Sequence, residues 1–272
     1  REIVTISRRG TENFENISRH ADAEILVNAT PVGMYPENGG SLVDLAQLPK
    51  LLGVVDLVYN PARTALRLQA EQLGIPHANG LYMLVAQAKR AEERFQRRAI
   101  ADSENGRITR QMAAGMENIA LIGMPGVGKS SCGRALAEKT GRQLVDLDEE
   151  VSRAAGCGIP AYFAAHGEAA FRQLETKVLA EWGKKSGLIL ATGGGVVTRP
   201  ENYALLHQNS RIFLLRRDIS GLSSAGRPVS QAKGIEAIAR EREPLYLSWA
   251  DHIIDCVSPE KNASRILEVL EA

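Results

Sequence analysis

A glycine-rich segment at residues 123–131 carries the strongest chemical signal in the sequence. It reads GMPGVGKSS and fits the pattern G-x-x-x-x-G-K-[ST], between an apolar strand pattern and a helical one. Glycines let backbone N–H groups turn toward phosphate oxygens, while the lysine reaches the β- and γ-phosphates and a serine can ligate Mg²⁺. This pattern predicts binding of a nucleoside triphosphate, without separating a kinase from a GTPase or a motor. The expected contacts are Gly123, Gly126, Val127, Gly128, Lys129, Ser130 and Ser131.

Two carboxylates, Asp146 and Asp148, follow the next strand pattern in the segment LVDLDEEV. Residues two apart on a strand point to the same side, and carboxyl ends of parallel strands face the ligand crevice. One carboxylate can hold Mg²⁺ through water, and the other can orient a substrate hydroxyl. The alternative is a solvated helix start, where acidic residues are also favoured.

Two further motifs contain residues that can bind an acceptor. Arg172 and Glu175 lie three apart in GEAAFRQLE, on one helix face, where an ordinary surface ion pair is the alternative. Gly193, Gly194 and Gly195 follow a buried strand pattern and allow close approach of a ligand to the backbone, with a plain turn as the alternative.

Two arginine motifs come later in the chain. Arg227 stands in GRPVS, within a Gly/Ser-rich stretch at 219–232 that suits a lid covering the transferring phosphate. Arg240 and Arg242 stand in REREPLY near a predicted helix end, where basic residues are often only partners of the helix dipole.

These motifs, in this order, resemble the shikimate kinase family across residues 118–272. The resemblance implies a P-loop kinase domain with a parallel sheet that uses ATP and Mg²⁺ to phosphorylate the 3-hydroxyl of shikimate. Such an acceptor carries a carboxylate and vicinal hydroxyls, and paired guanidinium groups suit a carboxylate. Phe163 and Phe171 match positions that line the family's pocket, with core packing as the alternative.

The resemblance also implies a role for each motif residue. The acceptor would be bound by Asp148, Arg172, Gly193, Gly194, Gly195 and Arg242, with Glu175 holding an arginine in place. The metal would be served by Ser130 and Asp146, and the catalytic groups would be Lys129, Asp148 and Arg227, the last also contacting ATP. The stretch before Arg227 is short and offers Ser223, Ser224 and Ala225 where the family often places an arginine against adenine, so adenine recognition stays open.

Residues 1–97 show a second resemblance, to the NADP-binding half of shikimate dehydrogenase. It rests on VNATPVGM at 27–34, DLVYNPARTALRLQAEQLG at 56–74 and NGLYMLVAQA at 79–88. It implies a truncated Rossmann-like α/β domain in which Tyr59 and Gln87 approach shikimate and Gly80 and Met83 lie near the nicotinamide. Arg8 and Arg9, after a predicted strand at 2–7, would bind the 2′-phosphate of NADP or form a solvated basic turn.

The glycine-rich dinucleotide loop would precede Glu2, and the family's catalytic lysine and aspartate are not in this sequence. We therefore expect the dehydrogenase-like part to be inactive here and to bind NADP only in a full-length parent. That parent would be a bifunctional dehydrogenase–kinase acting on consecutive steps. The expected domains are 1–97 and 117–272, joined by a linker at 98–116.

Composition limits the class of protein and the kinds of partner that the chain can have. The 272 residues carry a net charge of +1 and 44% hydrophobic residues, which argues for a globular protein without nucleic acid as a partner. No apolar stretch is long enough for a bilayer, and three scattered cysteines form neither a disulfide framework nor a zinc site. Strand and helix patterns alternate, which predicts parallel α/β architecture. A cytoplasmic enzyme is expected, with its oligomeric state open.

Three alternatives remain at this point. The chain could retain NADP-linked shikimate dehydrogenase activity, or it could be a P-loop kinase for another acceptor, such as a sugar, a nucleoside or another hydroxy-carboxylate. It could also be a nucleotide-driven binding switch without a small-molecule acceptor. Loss of acceptor binding after replacement of Arg172 or Arg242 would favour a carboxylate substrate.

Overall fold

The computed structural model describes residues 2–218 and 234–271. The chain divides into two compact units, Arg1–Gly115 and Met116–Ala272. Each unit contains a sheet whose described strands all run parallel, with helices as the connections. The α/β fold class predicted from the alternating patterns is therefore confirmed.

The first unit is built on a three-stranded sheet in the order β1-β2-β3. Aligned carboxyl ends of the strands, such as Asp56 opposite Asn79, bring the loops that follow them to one edge. The strands are Ile25–Asn28 (β1), Gly53–Asp56 (β2) and His77–Asn79 (β3), and the helices are Ala65–Gln72 (α1), Leu81–Gln96 (α2) and Ser103–Met116 (α3).

One segment of this unit differs from expectation, and a second forms a helix for which no secondary structure was predicted. Residues 2–7 form no strand, because the sheet pairs only β1, β2 and β3 and offers this segment no ladder; Ile3 is 90% exposed. The segment 98–116, predicted as the linker between the domains, contains α3, and the Arg, Gln, Met and Ala residues of this helix are good helix formers. Lys89 on α2 pairs with Asp102 just before α3 begins.

The second unit contains a five-stranded parallel sheet in the order β5-β6-β4-β7-β8. Its central strand is buried along its whole length, which accounts for the continuous apolar run NIALI rather than an alternating pattern. The strands are Asn118–Ile122 (β4), Leu144–Asp146 (β5), Ile189–Ala191 (β6), Ser210–Arg216 (β7) and His252–Asp255 (β8).

Helices connect these strands and bury two apolar clusters of the unit. The longest, α6, is interrupted at Gly167, whose φ of 78° and ψ of 176° are not helical. The helices are Lys129–Thr140 (α4), Leu147–Ala155 (α5), Ile159–Gly183 (α6), Glu201–His207 (α7), Ile235–Trp249 (α8) and Pro259–Glu271 (α9). Among the described residues, none of these helices has the length and apolar character needed to cross a membrane.

Strand order explains how distant motifs meet. The strands β5, β6 and β4 are neighbours and run parallel, so the segments that follow them leave the same edge of the sheet. Those segments are the phosphate-binding loop at 123–131, the Asp146–Asp148 pair, and the loop of Gly193, Gly194 and Gly195, called the three-glycine loop below.

Candidate active site

The phosphate-binding loop pattern folds into a turn between β4 and α4. Lys129, the first residue of α4, is 8% exposed. Its ammonium donates to the carbonyl oxygens of Gly123, at 2.8 Å, and Met124, at 3.1 Å. The lysine thereby ties the start of the loop to its end, and the N-terminus of α4 is directed at the space that the loop encloses.

The carboxylate pair after β5 has two distinct environments. Asp146 is the N-cap of α5 and accepts from the Asp148 N–H at 3.1 Å. It also accepts from the Ser130 hydroxyl on α4. Asp148 lies in the first turn of α5, because the strand ends at Asp146, so the expected strand geometry for the pair is wrong. Asp148 is exposed toward the cavity all the same.

The Ser130–Asp146 pair suits Mg²⁺. Both side chains offer oxygen ligands, which this cation prefers, and their direct hydrogen bond places the two oxygens side by side. No group of three His, Cys, Asp or Glu side chains that could enclose a metal occurs in the described part of the chain. A P-loop magnesium needs no such cage, since phosphates and waters complete its shell.

A cavity of about 420 Å³ opens beside this loop. Residues from the loop, α5, α6, the three-glycine loop and α8 form its wall. They are Pro125, Gly126, Gly128, Lys129, Ser130, Ser131, Asp148, Ile159, Phe163, Phe171, Arg172, Glu175, Thr192, Gly193, Gly194, Gly195 and Arg242.

Arg172 and Glu175 form a buried ion pair on α6 rather than a surface pair. The guanidinium Nη1 donates to Glu175 Oε2 at 2.8 Å, and Arg172 also lies 5.1 Å from the Phe171 ring centroid. Burial raises the pKa of Glu175, while the neighbouring charges of Arg172 and Arg242 act against that rise. Arg172 Nε, Glu175 Oε1 and Arg242 Nε are buried, and none has a hydrogen-bond partner among the described residues.

The three-glycine loop lies too close to these charged groups to carry side chains. A Cβ on Gly193 would lie 2.5 Å from Glu175 Oε1 and 2.6 Å from Asp148 Oδ1. A Cβ on Gly195 would overlap the Arg172 guanidinium. The glycines therefore let a carboxylate pair and an arginine converge on one stretch of backbone.

The helix α8 contributes the second buried arginine. Arg242 is 2% exposed and donates from Nη1 to the Gly194 carbonyl at 2.8 Å. The Tyr246 hydroxyl, one turn along, donates to the same oxygen. Sequence reasoning missed Tyr246, although its i+4 spacing from Arg242 in REREPLY was a usable signal. Arg240 is exposed, as the dipole interpretation of helix-end arginines allows.

The structure thus brings most of the predicted kinase residues to one cavity. Phe163 and Phe171 both line it and also pack together, with ring centroids 5.8 Å apart. Val127 is an exception, since its side chain is buried in the core and only its backbone can face phosphate. Arg227 lies outside the described residues, as do Ser223, Ser224 and Ala225.

The predicted site residues of the first unit lie after strands β2 and β3 and on helix α2. Tyr59 follows β2 and Gly80 follows β3, so both lie at the carboxyl edge of the sheet. Met83 and Gln87, one turn apart on α2, are exposed.

Arg8 and Arg9 lie in an exposed turn rather than at a strand end, because residues 2–7 form no strand. Their expected placement at the end of a strand is therefore wrong. Nothing in the sheet fixes their direction.

A phosphate-binding loop on the central strand of a parallel five-stranded sheet defines a P-loop nucleotide-binding protein. The family model for shikimate kinase matches residues 125–271. The shikimate kinase of Synechococcus sp. (strain CC9605) is 42% identical over 166 residues, covering 56% of this chain and 82% of that relative. Shikimate kinase from Acinetobacter baumannii in complex with shikimate matches with 31% identity and a TM-score of 0.56, covering 60% of this chain and 97% of that one.

The chain therefore belongs to the shikimate kinase family, and it is a phosphotransferase. A weaker similarity involves a chorismate mutase/shikimate 5-dehydrogenase fusion protein from Clostridium acetobutylicum. That protein is 30% identical with a TM-score of 0.37, covering 39% of this chain and 43% of that one, and we assign no family from this similarity.

Proposed function

We propose that the second unit transfers the γ-phosphoryl group of ATP to the 3-hydroxyl of shikimate, giving ADP and shikimate 3-phosphate. The observation that carries the proposal is the meeting of two half-sites in one cavity. Lys129 and the loop supply donors for phosphate, while Arg172 and Arg242 supply buried guanidinium groups for a carboxylate.

In the phosphate half, the loop N–H groups and Lys129 bind the β- and γ-phosphates. Ser130 and Asp146 would hold Mg²⁺, which neutralises phosphate charge when bound. Lys129, already held next to the loop carbonyls, would move toward the charge that develops on the transferring group. Arg227 would cover the same group as the lid arginine.

In the acceptor half, Arg172 and Arg242 bind the shikimate carboxylate, and Glu175 keeps Arg172 in its orientation through their 2.8 Å contact. Asp148 lines the cavity and in this proposal faces both substrates. It orients the 3-hydroxyl and accepts its proton as the oxygen attacks the γ-phosphorus in line and the bond to ADP breaks. The N–H groups of Gly193 to Gly195 contact the acceptor hydroxyls.

Release of ADP, measured with ATP and Mg²⁺ in the presence and absence of shikimate, tests this function. We expect release to depend strongly on shikimate and to be lost in Asp148→Asn. The matched control is Glu149→Gln, which changes the neighbouring exposed carboxylate and should leave the rate unchanged. Hydrolysis that does not depend on shikimate would rule out the proposed reaction and favour a nucleotide switch. Equal rates for the two variants would contradict the role given to Asp148.

We also infer that residues 1–97 have the character of a shikimate dehydrogenase NADP-binding domain. Support comes from the motifs around Asn28, Asp56 and Asn79, and from the shared sheet edge of Tyr59 and Gly80. In this proposal the parent protein also reduces 3-dehydroshikimate with NADPH. Shikimate-dependent formation of NADPH by a full-length parent, lost in Tyr59→Phe or Gln87→Ala, would support it. Absence of that activity in the full-length protein would contradict it.

A further inference from the structure

The Gly194 carbonyl oxygen is held by two donors from one helix. Arg242 Nη1 lies 2.8 Å from it, and the Tyr246 hydroxyl donates to the same atom. Tyr246 is 2% exposed, and burial raises its pKa to about 12, so the hydroxyl keeps its proton at neutral pH and acts as a donor. The two donors lie one helical turn apart, which lets both reach a single acceptor.

This double contact also sets the direction of the next N–H group. The peptide bond between Gly194 and Gly195 is trans, so its N–H points opposite to its carbonyl. Because the carbonyl points to α8, the Gly195 N–H points away from α8. Gly195 lines the cavity, and no acceptor for its N–H occurs among the residues that the structure describes.

The two hydrogen bonds to the Gly194 carbonyl hold the three-glycine loop in place, because its glycines have no side chains that could do so. Glycine backbone is conformationally permissive, and a Cβ on Gly195 would displace the Arg172 guanidinium. A carbonyl that accepts from a charged guanidinium and a hydroxyl is polarised, and linked hydrogen bonds strengthen one another. The Gly195 N–H therefore gains both a fixed direction and a greater strength as a donor.

We propose that Tyr246 is a positioning residue for the acceptor, which acts through the Gly194 carbonyl to direct the Gly195 N–H at an oxygen of the hydroxy-carboxylate substrate. Tyr246 is not part of the cavity wall and does not itself touch the substrate. This inference rests on the proposed function, since the oxygen that it serves belongs to shikimate.

The test is Tyr246→Phe, which removes one hydroxyl and keeps the ring that packs in the core. We expect KM for shikimate to rise about fivefold, the effect of losing one hydrogen bond. KM for ATP and the melting temperature should stay near the values of the unchanged protein. The matched control is Tyr203→Phe, since Tyr203 packs on Trp249 away from the cavity and should alter neither KM.

A second readout is the amide resonance of Gly195 in a ¹⁵N-labelled protein titrated with shikimate. In the unchanged protein this resonance should shift on binding, and Tyr246→Phe should reduce the shift. An unchanged KM for shikimate in Tyr246→Phe would overturn the inference. A rise in KM for both shikimate and ATP together with a lower melting temperature would also overturn it, because these changes would show that the hydroxyl only stabilises the fold. If the unchanged protein shows no reaction with shikimate, the proposed function fails first and the inference fails with it.

Discussion

Each unit of the molecule contains a buried carboxylate, and the two carboxylates differ in their hydrogen-bond partners. Asp56 in the first unit is fully buried and accepts from Asn28 Nδ2 at 2.9 Å, from the Val58 N–H at 3.1 Å and from the Thr64 hydroxyl. Glu175 in the second unit is 3% exposed, yet its Oε1 has no partner among the described residues.

The difference separates a structural carboxylate from one that belongs to a site. Asp56 ties β1, β2 and the cap of α1 together, and its oxygens are satisfied by protein donors. Glu175 lines a cavity together with Arg172 and Arg242. The Nε atom of each arginine is also buried without a hydrogen-bond partner among the described residues. These unpaired atoms belong to residues of the cavity wall, where a bound ligand can supply the missing partners.

The largest effect should come from the phosphate half of the site. Lys129→Met should lower kcat by about three orders of magnitude, because a preorganised positive charge at the transferring phosphate is lost. The measurement is the rate of ADP release at saturating shikimate. Lys139→Met, which removes an exposed lysine from the same helix, is the control and should behave like the unchanged protein. Equal rates for the two variants would remove Lys129 from the mechanism.

The acceptor half should respond in a different parameter. Arg172→Gln should raise KM for shikimate by roughly 30- to 150-fold, since a charge-assisted hydrogen bond is worth about 2–3 kcal/mol. KM for ATP should change little. Arg153→Gln, which alters an exposed arginine of α5, serves as the control. A rise in KM for ATP alone would contradict the assignment of Arg172 to the acceptor and would favour a different substrate class.

The two buried carboxylates give the sharpest form of the contrast. Asp56→Asn should lower the free energy of unfolding by about 1–3 kcal/mol, because a donor amide replaces an acceptor that three groups require. Glu175→Gln should instead show its main effect on KM for shikimate. Thermal unfolding and steady-state kinetics of both variants separate these results. The contrast breaks if Asp56→Asn impairs shikimate binding while Glu175→Gln does not.

The smallest effect is a pH dependence. Burial raises the folded-state pKa of Glu175 above the ordinary value of 4.5. The stability that this group contributes is therefore complete below pH 4.5 and is lost as the pH rises through the folded-state pKa. Urea unfolding across this range should show a decline in stability that Glu175→Gln flattens. A Gln variant with the same slope as the unchanged protein would assign the decline to other groups.

Much of the kinase site could be predicted from sequence because its motifs lie beside strands. The loop at Lys129, the carboxylates after β5 and the glycines after β6 meet since parallel neighbouring strands end at one edge. Local patterns could not show that Arg172 and Glu175 are buried rather than exposed, because burial depends on packing against distant residues.

Other features could not be predicted because they depend on contacts between residues that are distant in the sequence. The i+4 spacing of Tyr246 from Arg242 places both on one helix face, but the acceptor of the Tyr246 hydroxyl, the Gly194 carbonyl, lies 52 residues away in the sequence. Residues 2–7 have strand-like residues, but a strand also needs a partner, and the sheet supplies none. The helix at 103–116 was also not predicted, although its Arg, Gln, Met and Ala residues favour one.

A crystal structure with shikimate bound would test most directly whether the unpaired atoms of Arg172, Glu175 and Arg242 mark the acceptor site. We predict that the carboxylate lies about 3 Å from guanidinium nitrogens of both Arg172 and Arg242, with a ring hydroxyl facing Asp148. Shikimate bound instead beside Tyr59 and Gln87 in the first unit, with Arg172 and Arg242 unchanged, would contradict the account.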